Sequence, residues 1–459
     1  MDPGTPPAET DHGRDRGTQP GTDPGACEGA QASGDKVVAV GRSLAQTVRH
    51  FWPELSPLWL NSLPDSRCQP FVTYSREFLV WWGLLLFLCK LGRVRQLDYQ
   101  LRDDETFVLA NVNALAHTHQ ESLPVYGTLS HFLGHVGSAA LGDLRTRMIR
   151  QLIRNKVFDN DRLLGAVVVV IDGSGHVSFR LRHCPHCLTQ THNGETYYYH
   201  EVLEAKLVTS SGLALSIGSE FIDNHHFDAL AGVGREAQKQ DCELKALTRL
   251  APQLKRDFPQ LQICLSVDAL MACGRFFSLC QENHWHYVVT FKPGSLPAVW
   301  EDFQGLLTLC PEQVRRIRTP DGRDLEYRWV NGLSYVDDQG RPHTFNAIQC
   351  LQTEEGLQST FAWITDWLVT PENVIAIAQQ GGRDRWKIEN QGFNTQKNGG
   401  YELEHVYGRD EELLKCFYFL LQIAHMILQL LEKGSLLRRV AAQYGKTVAG
   451  LYGSLRNIA

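Results

Sequence analysis

The sequence predicts an α/β protein: a mixed sheet with flanking helices, an N-terminal all-helical domain and a β-rich insertion. Residues 37–160 place apolar side chains at helical spacing. From Leu163 onward, short β-branched runs alternate with helical segments, and the run 166–171 is apolar throughout, as in a strand buried on both faces. Residues 300–370 interrupt this alternation with short strands between glycine turns. These three patterns together indicate the fold class.

The composition is that of a globular protein. The 459 residues exceed what one hydrophobic core usually organises, which predicts two or three domains. The 12 cysteines lie mostly in apolar runs, which favours a reducing, cytoplasmic setting over a disulfide framework. The apolar stretches 78–89 and 413–431 are either too short or too polar for a membrane span, so we expect both to be buried helices.

The net charge of −6 argues mildly against a nucleic-acid-binding protein, where a basic balance is typical. Three local basic clusters oppose that average, although a solvated surface is the commoner explanation for such clusters. In the first cluster we expect the arginines to point outward, because Met148, Leu152 and Ile153 form the apolar side of the same helix. The clusters begin at Arg145, Arg315 and Lys433.

The helical residues 37–160 are followed by strands and helices of the core. Predicted strands lie at 166–171, 197–208, 213–221, 263–268 and 286–291, with helices between the later ones. Low apolar content predicts that the N-terminal residues are disordered. We therefore divide the chain into a disordered leader (1–36), a helical domain (37–160), the first part of the core (161–300), a β-rich insertion (301–370), the second part of the core (371–432) and a basic helical tail (433–459).

Three acidic residues occupy positions that can direct them at one site. Asp172 and Asp268 each end an apolar strand run, and Glu389 lies in a helical segment. Carboxylate oxygens suit Mg²⁺, and a pair of divalent ions stabilises both the attacking and the leaving oxygen of a phosphodiester. Taken singly, Asp172 before Gly173 is as well explained as a turn former, and Asp268 as a helix N-cap.

The local sequences around these acids resemble those of bacterial insertion-sequence transposases. The matching segments are 171–174, 266–269 and 385–394. The resemblance is to the branch of the DDE superfamily whose ribonuclease-H-like core carries a β-rich insertion between the second Asp and the Glu. It implies that Asp172, Asp268 and Glu389 are catalytic and bind two Mg²⁺ ions, for which Mn²⁺ can substitute.

The resemblance extends to residues around the Glu. Arg385 stands one helical turn before Glu389, where the family has an arginine, and its other explanation is an intrahelical ion pair with Glu389. The family's Tyr is replaced by Gly382, and its Lys falls at Gln396, with Lys397 one residue later. Arg385 and Lys397 are the residues implied to hold DNA phosphates.

Two further assignments concern the insertion and the loop after the helix. Related transposases stack an aromatic residue of the insertion on a flipped base, and Trp329 is the candidate here, although an aromatic residue on a short strand more often belongs to the core. Glu404 is the alternative third acid if Glu389 points away from the site.

Cys184 and Cys187 form the one close cysteine pair. Their spacing suits a structural Zn²⁺ site, but two further ligands are not evident from the sequence. The alternative is a hairpin tip shaped by Pro185, with thiols that bind nothing.

The resemblance implies a DNA transposase that binds transposon ends, nicks them to expose a 3′-hydroxyl and joins it to target DNA. Its partners would be double-stranded DNA at terminal inverted repeats and at the target, bound by a homodimer in the bacterial cytoplasm at the nucleoid, with no membrane. Residues 37–160 would then read DNA. Two alternatives stay open: a transposase-derived DNA-binding protein without catalysis, and an actin-like ATPase or kinase using Asp172-Gly173-Ser174-Gly175 as a phosphate loop.

Overall fold

Helices precede the first strand, as the sequence predicts. The computed structural model describes residues 24–101, 105–225, 240–408, 410–448 and 451, and for residues 24–37 only the backbone. Short π and 3-10 turns, at Leu55–Leu60, Gln69–Phe71 and Asp159–Asp161, connect the longer helices. Those helices are α1 (Pro24–Phe51), α2 (Arg76–Leu88), α3 (Gln96–Gln100), α4 (Glu105–Ala116), α5 (Tyr126–Val136) and α6 (Ser138–Arg154).

Helix α1 begins before the expected end of the leader. Residues 24–36, which we expected to be disordered, are described as the first part of α1, and residues 1–23 lie outside the described part of the chain. Proline is tolerated in the first turn of a helix, where its missing N–H has no partner to lose, so Pro24 can start α1. Ala30 and Ala32 favour helix, which a count of apolar residues does not capture.

One mixed sheet contains the strands described in the chain. The strands of its first half alternate with helices α7 (Glu243–Asp257) and α8 (Gly274–Asn283), and α9 (Pro297–Leu309) precedes the second half. The strands are β1 (Arg162–Leu163), β2 (Ala166–Phe179), β3 (Leu188–His192), β4 (Glu195–Val208), β5 (Ala214–Ile222), β6 (Ile263–Val267), β7 (His286–Thr290), β8 (Val314–Arg318), β9 (Asp324–Val336), β10 (Pro342–Glu354) and β11 (Leu357–Thr365).

The strand order across the sheet is β3-β4-β2-β6-β7-β11-β10-β9-β8. Strand β5 pairs with the second half of β4, beyond the part that pairs with β3, and β1 pairs with the start of β2. Strands β2, β6 and β7 run parallel to one another, and the other pairings are antiparallel. The order β5-β4-β2-β6-β7 therefore places two neighbouring parallel strands beside an antiparallel meander.

Strand β2 continues past Asp172, which corrects the prediction that the strand ends there. Residues 172–175 pair with β4, and the ladder shifts register only between Gly175 and Val177. The sequence Asp-Gly-Ser-Gly indicates a turn when it is taken alone, but β4 supplies partners for its backbone groups, and cross-strand pairing overrides the local preference.

Helices cover both faces of the first half of the sheet. Helix α7 packs on β5 at Gly218, where an added Cβ would lie 2.8 Å from a Leu254 methyl, so the close approach depends on glycine. The opposite face receives an irregular helix, residues 374–398, and α10 (Glu411–Lys433). Helix α11 (Ser435–Gln443) then packs against α10 and α1.

The expected insertion is not a separate unit. Strand β11 pairs antiparallel with β7, so β8 to β11 extend the core sheet in one continuous ladder. The hydrogen-bonded pairing of β11 with β7 was not evident from the sequence, because a strand's partner is decided by tertiary packing.

Helix α10 lies at the centre of the molecule. It contacts α1, α2, α5 and α6 on one side and β5 on the other, so the helical block and the sheet share a hydrophobic core. By length and composition α10 could span a membrane, yet 89% of its most apolar window is buried inside the protein, as in the core helix of a soluble protein. The expectation of a buried helix is confirmed.

The first basic cluster does not point wholly outward. Arg145 is buried and donates hydrogen bonds to Ser216 Oγ at 2.9 Å and to Ser219 Oγ at 2.5 Å. The prediction of an outward side chain is therefore wrong for Arg145, because α6 meets β5 on the side that carries this residue.

Candidate active site

Asp172 and Asp268 lie side by side on neighbouring strands. The parallel register pairs Val170 with Ser266, so two residues further along each strand the chain reaches Asp172 and Asp268. Asp268 immediately follows β6 and also caps the short turn Ala269–Met271, accepting a hydrogen bond from the Leu270 N–H at 2.9 Å. Asp268 is therefore an N-cap residue, and it also lies beside Asp172.

Glu389 reaches the same region from the irregular helix 374–398. Departures from α geometry are frequent at functional sites, because they redirect side chains within a helix. Glu389 belongs to a π segment and its side chain is 56% exposed. The segments are Val374–Ala376 (α), Ile377–Gly382 (π), Arg383–Trp386 (3-10), Ile388–Asn394 (π) and Thr395–Asn398 (α).

Arg385 connects two of the acids. Its Nη1 lies 3.7 Å from Asp172 Oδ2, and its Nη2 lies 3.4 Å from Glu389 Oε1. The expected ion pair with Glu389 is therefore present. The contact of Arg385 with Asp172 was not expected from the sequence. Nη1 is buried and has no hydrogen-bond partner in the structure, so the guanidinium keeps an unused donor beside the acids.

The three acids share an electrostatic environment. The pKa of Asp172 is raised to about 6, mainly by burial, and the charges of Glu389 and Asp268 raise it further while Arg385 lowers it. Their ligand atoms do not all lie within 4.8 Å of one another, so the three oxygens do not form a closed shell in this conformation. Oxygen donors with this excess of negative charge fit a hard divalent cation such as Mg²⁺.

Two more carboxylates border the site, and the sequence reasoning missed both. An added Cβ on Gly173 would lie 2.4 Å from Glu243 Oε1 and 3.0 Å from Glu201 Oε1, so the glycine makes room for them. Burial raises the pKa of Glu243 to about 7, with Asp172 and Glu201 adding to the effect. Glu243 opens α7 and Glu201 lies on β4, positions that in a sequence resemble ordinary surface acids.

Lys397 is engaged by another residue. Its Nζ lies 2.7 Å from Glu404 Oε1, so Glu404 neutralises the lysine. The preceding Gln396 is fully buried and donates hydrogen bonds to Gln422 and His425. The Lys397 side chain is 30% exposed.

Gly382 faces Trp363 of β11. An added Cβ would lie 2.4 Å from the indole ring, so Trp363 occupies the space that a larger side chain at 382 would need. Trp329 is 4% exposed in β9, and the assignment of this residue to base stacking is wrong, because a core side chain cannot also cover a base. Trp386, next to Arg385, is 49% exposed.

The phosphate-loop alternative loses its structural basis. Such a loop presents free backbone N–H groups to a phosphate. Here residues 172–175 are paired with β4 as a strand, so this segment does not form a loop.

Cys184 and Cys187 lie in the loop between β2 and β3, where His200 of β4 joins them.

No protein-family model matches this chain, and no curated protein matches it.

Proposed function

We propose that this protein is a DDE transposase that nicks DNA at transposon ends and joins the exposed 3′-hydroxyl to target DNA. The observation that carries the proposal is the meeting of three acids from distant parts of the chain. Asp172 and Asp268 lie on adjacent parallel strands, and Arg385 bridges Asp172 to Glu389. This is the set of residues that the local sequences implied.

A ribonuclease-H-like core is part of the proposal. Such a core has an antiparallel meander followed by two parallel strands, with helices on both faces, and the first acid lies on its central strand. The order β5-β4-β2-β6-β7, with β2, β6 and β7 parallel, supports this assignment. The β-rich segment between β7 and the helix of Glu389 supports the insertion-bearing branch of the superfamily.

In the proposed reaction, Asp172, Asp268 and Glu389 would hold two Mg²⁺ ions, which supply charge stabilisation for the attacking and leaving oxygens. The protein's own residues position the DNA. Arg385 would exchange its carboxylate contacts for a DNA phosphate, because charge-assisted hydrogen bonds from guanidinium suit phosphate geometry. Lys397 would act similarly once it is released from Glu404.

A groove between the helical block and the sheet is the surface where we propose that DNA binds. Four arginines line it, Arg147, Arg150, Arg154 and Arg162, together with two acids, Glu54 and Asp257. Arg150 donates a hydrogen bond to the Asp257 carbonyl at 2.7 Å, which fixes one wall of the groove. Arginine side chains on one surface give the sequence-independent attraction to phosphates that DNA binding needs. The protein would act there as a homodimer on paired ends.

Asp268→Asn tests the proposal. The amide oxygen can still cap the Leu270 N–H, so folding should be kept while the metal-binding charge is lost. We expect nicking of an end-containing duplex with Mg²⁺ to fall at least about 10³-fold, a loss of about 4 kcal/mol of transition-state stabilisation. DNA binding, measured by gel shift, should be unchanged.

Asp338→Asn, in the β9–β10 turn, is the matched control and should nick normally. Nicking by Asp268→Asn at the parental rate would remove this residue from the mechanism. DNA binding by the parent without Mg²⁺-dependent nicking would favour the non-catalytic DNA-binding alternative.

A further inference from the structure

A second group of metal-binding residues lies away from the three acids. Cys184 and Cys187 come from the loop after β2, and His200 comes from β4, where it pairs with Val177. Strand pairing places His200 beside this loop, although His200 follows Cys187 by thirteen positions in the sequence. The sequence supplied two ligands, and the fold supplies the third.

The separations of the ligand atoms are within about 0.4 Å of those in a tetrahedral Zn²⁺ site. Cys184 Sγ lies 3.4 Å from Cys187 Sγ, and His200 Nε2 lies 3.2 Å from Cys184 Sγ and 3.5 Å from Cys187 Sγ. Zn–S bonds of about 2.3 Å and Zn–N bonds of about 2.0 Å give tetrahedral edges of roughly 3.5–3.8 Å. One imidazole nitrogen can form a linear hydrogen bond with only one thiol, so hydrogen bonding alone does not explain both short contacts.

The charge and burial of the group also suit Zn²⁺. Cys187 and His200 are buried and Cys184 is half-buried. Two thiolates and a neutral imidazole cancel the charge of Zn²⁺, so the complex as a whole carries no net charge into this interior. Sulfur and imidazole ligands select Zn²⁺ over the hard cations that carboxylates prefer.

We propose that Cys184, Cys187 and His200 bind one Zn²⁺ ion that fastens the β2–β3 loop to β4. Within the described residues, no fourth Cys, His, Asp or Glu has its ligand atom within 4.8 Å of all three. The ion would also fix the part of β4 that carries Glu201, which borders the acids at Gly173. This site does not depend on the proposed function.

A neighbouring cluster offers a competing position. His186, His225 and Glu411 also have ligand atoms within 4.8 Å of one another, but they contain no thiolate and His225 is exposed. The His225 Nε2 already lies 3.0 Å from Glu411 Oε1, as an ion pair on the surface would. The experiment must therefore distinguish the two clusters.

Zinc content of the purified full chain, dialysed against metal-free buffer, tests the proposal. We expect about one Zn²⁺ per chain, since sites with two thiolates and an imidazole bind zinc tightly enough to survive dialysis. Cys184→Ser and His200→Gln should each lower the content at least about five-fold. The controls Cys68→Ser and Cys242→Ser, at exposed cysteines, and His225→Gln, in the competing cluster, should retain it.

Co²⁺ substitution of the parent protein gives a second measurement, which does not rely on a variant that folds. Thiolate-to-cobalt charge-transfer absorption is expected, and it should disappear when Zn²⁺ is added. A parent protein without zinc and without this absorption would overturn the proposal, as would a Cys184–Cys187 disulfide found by thiol titration. Loss of zinc in His225→Gln with retention in Cys184→Ser would overturn it as well.

Discussion

At the scale of single residues, the protonation of Asp172 and Glu243 connects the site to stability. Their pKa values are raised from 3.8 to about 6 and from 4.5 to about 7, chiefly by burial. Between about pH 4 and pH 7 the folded, metal-free protein therefore holds protons that the unfolded chain has released. Because the folded state binds more protons in this window, the stability contribution is full below pH 4 and is lost as the pH rises through 6 and 7.

We accordingly expect the free energy of unfolding of the metal-free protein to decrease from pH 4.5 to pH 7.5. Urea unfolding in the presence of a chelator measures it. The double variant Asp172→Asn, Glu243→Gln should show a shallower decrease, since neither side chain titrates. An equally steep decrease in this variant would mean that other groups cause the pH dependence.

Arg385 affects the protonation of Asp172 at the same site. Its charge lowers the pKa of Asp172, so Arg385→Gln should raise that pKa above 6. Protons then compete with Mg²⁺ at higher pH, and the pH at which Mg²⁺ binding is half-maximal, measured by calorimetry, should move upward.

Arg383→Gln is the matched control for this shift. Arg383 lies over the Phe361 ring at 3.9 Å, and no described contact joins it to Asp172. Its binding profile should match that of the parent. If the two arginine variants shift alike, the effect belongs to the helix as a whole and not to the contact of Arg385 with Asp172.

The sequence identified the candidate site residues that lie next to a recognisable local pattern. Asp172 and Asp268 follow apolar strands, and Arg385 precedes Glu389 by one helical turn. Glu201, Glu243 and His200 could not be found in this way, because their proximity depends on strand pairing and on helix placement. The assignment of Trp329 to base stacking failed for a related reason. Residue type alone does not distinguish a core aromatic side chain from an exposed one.

At the scale of elements, a buried ion pair within β4 takes part in a hydrogen-bond network that reaches the helices packed on this strand. Glu204 and Lys206 are both fully buried, with Nζ 3.4 Å from the Glu204 carboxylate. Lys206 also donates a hydrogen bond to Gln422 of α10 at 2.9 Å and lies under the Phe393 ring. Tyr418 donates a further hydrogen bond to Glu204 at 2.8 Å. This network fixes α10 and helix 374–398 against the strand next to Asp172.

Lys206→Met should therefore destabilise the protein by about 3–5 kcal/mol, because the buried Glu204 loses the cation that contacts it directly. The double variant Glu204→Gln, Lys206→Met should recover part of this loss, measured by urea unfolding at pH 7, because the charge of Glu204 also interacts with that of buried Arg145. Arg316→Met breaks the exposed pair with Glu326 and should cost less than about 1 kcal/mol. A double variant as unstable as Lys206→Met would show that packing, and not charge, is responsible.

Most elements were predictable, because buried strands and amphipathic helices have distinct periodicities. The predicted strands at 197–208 and 263–268 correspond closely to β4 and β6. Strand boundaries were predicted wrongly where the local sequence preference and tertiary strand pairing conflict, as in β2 beyond Asp172. The joining of β11 to β7 could not be read from either strand alone.

At the scale of the whole molecule, the shared core limits how the chain can be divided. Helix α10 packs on the helical block and on β5, so neither part buries its apolar surface without the other. We expect the fragment 161–459 to lack a cooperative unfolding transition and to aggregate, because the side of α10 that packs on α1, α2 and α6 would be exposed.

The full chain is the reference for this truncation. Its unfolding, followed by circular dichroism and by tryptophan fluorescence, should give coincident transitions. A fragment 161–459 that unfolds cooperatively at the midpoint of the full chain would show that these residues fold independently of the N-terminal helices.

The position of α10 in the chain also has a consequence for synthesis. Helices α1 to α6 emerge from the ribosome long before residues 411–433, and until then the surfaces of α1, α2, α5 and α6 that pack on α10 have no partner there. Apolar surface on these helices therefore stays exposed until residues 411–433 have been synthesised. Chaperones that shield nascent chains should matter more for the yield of this protein than for one whose early helices pack among themselves.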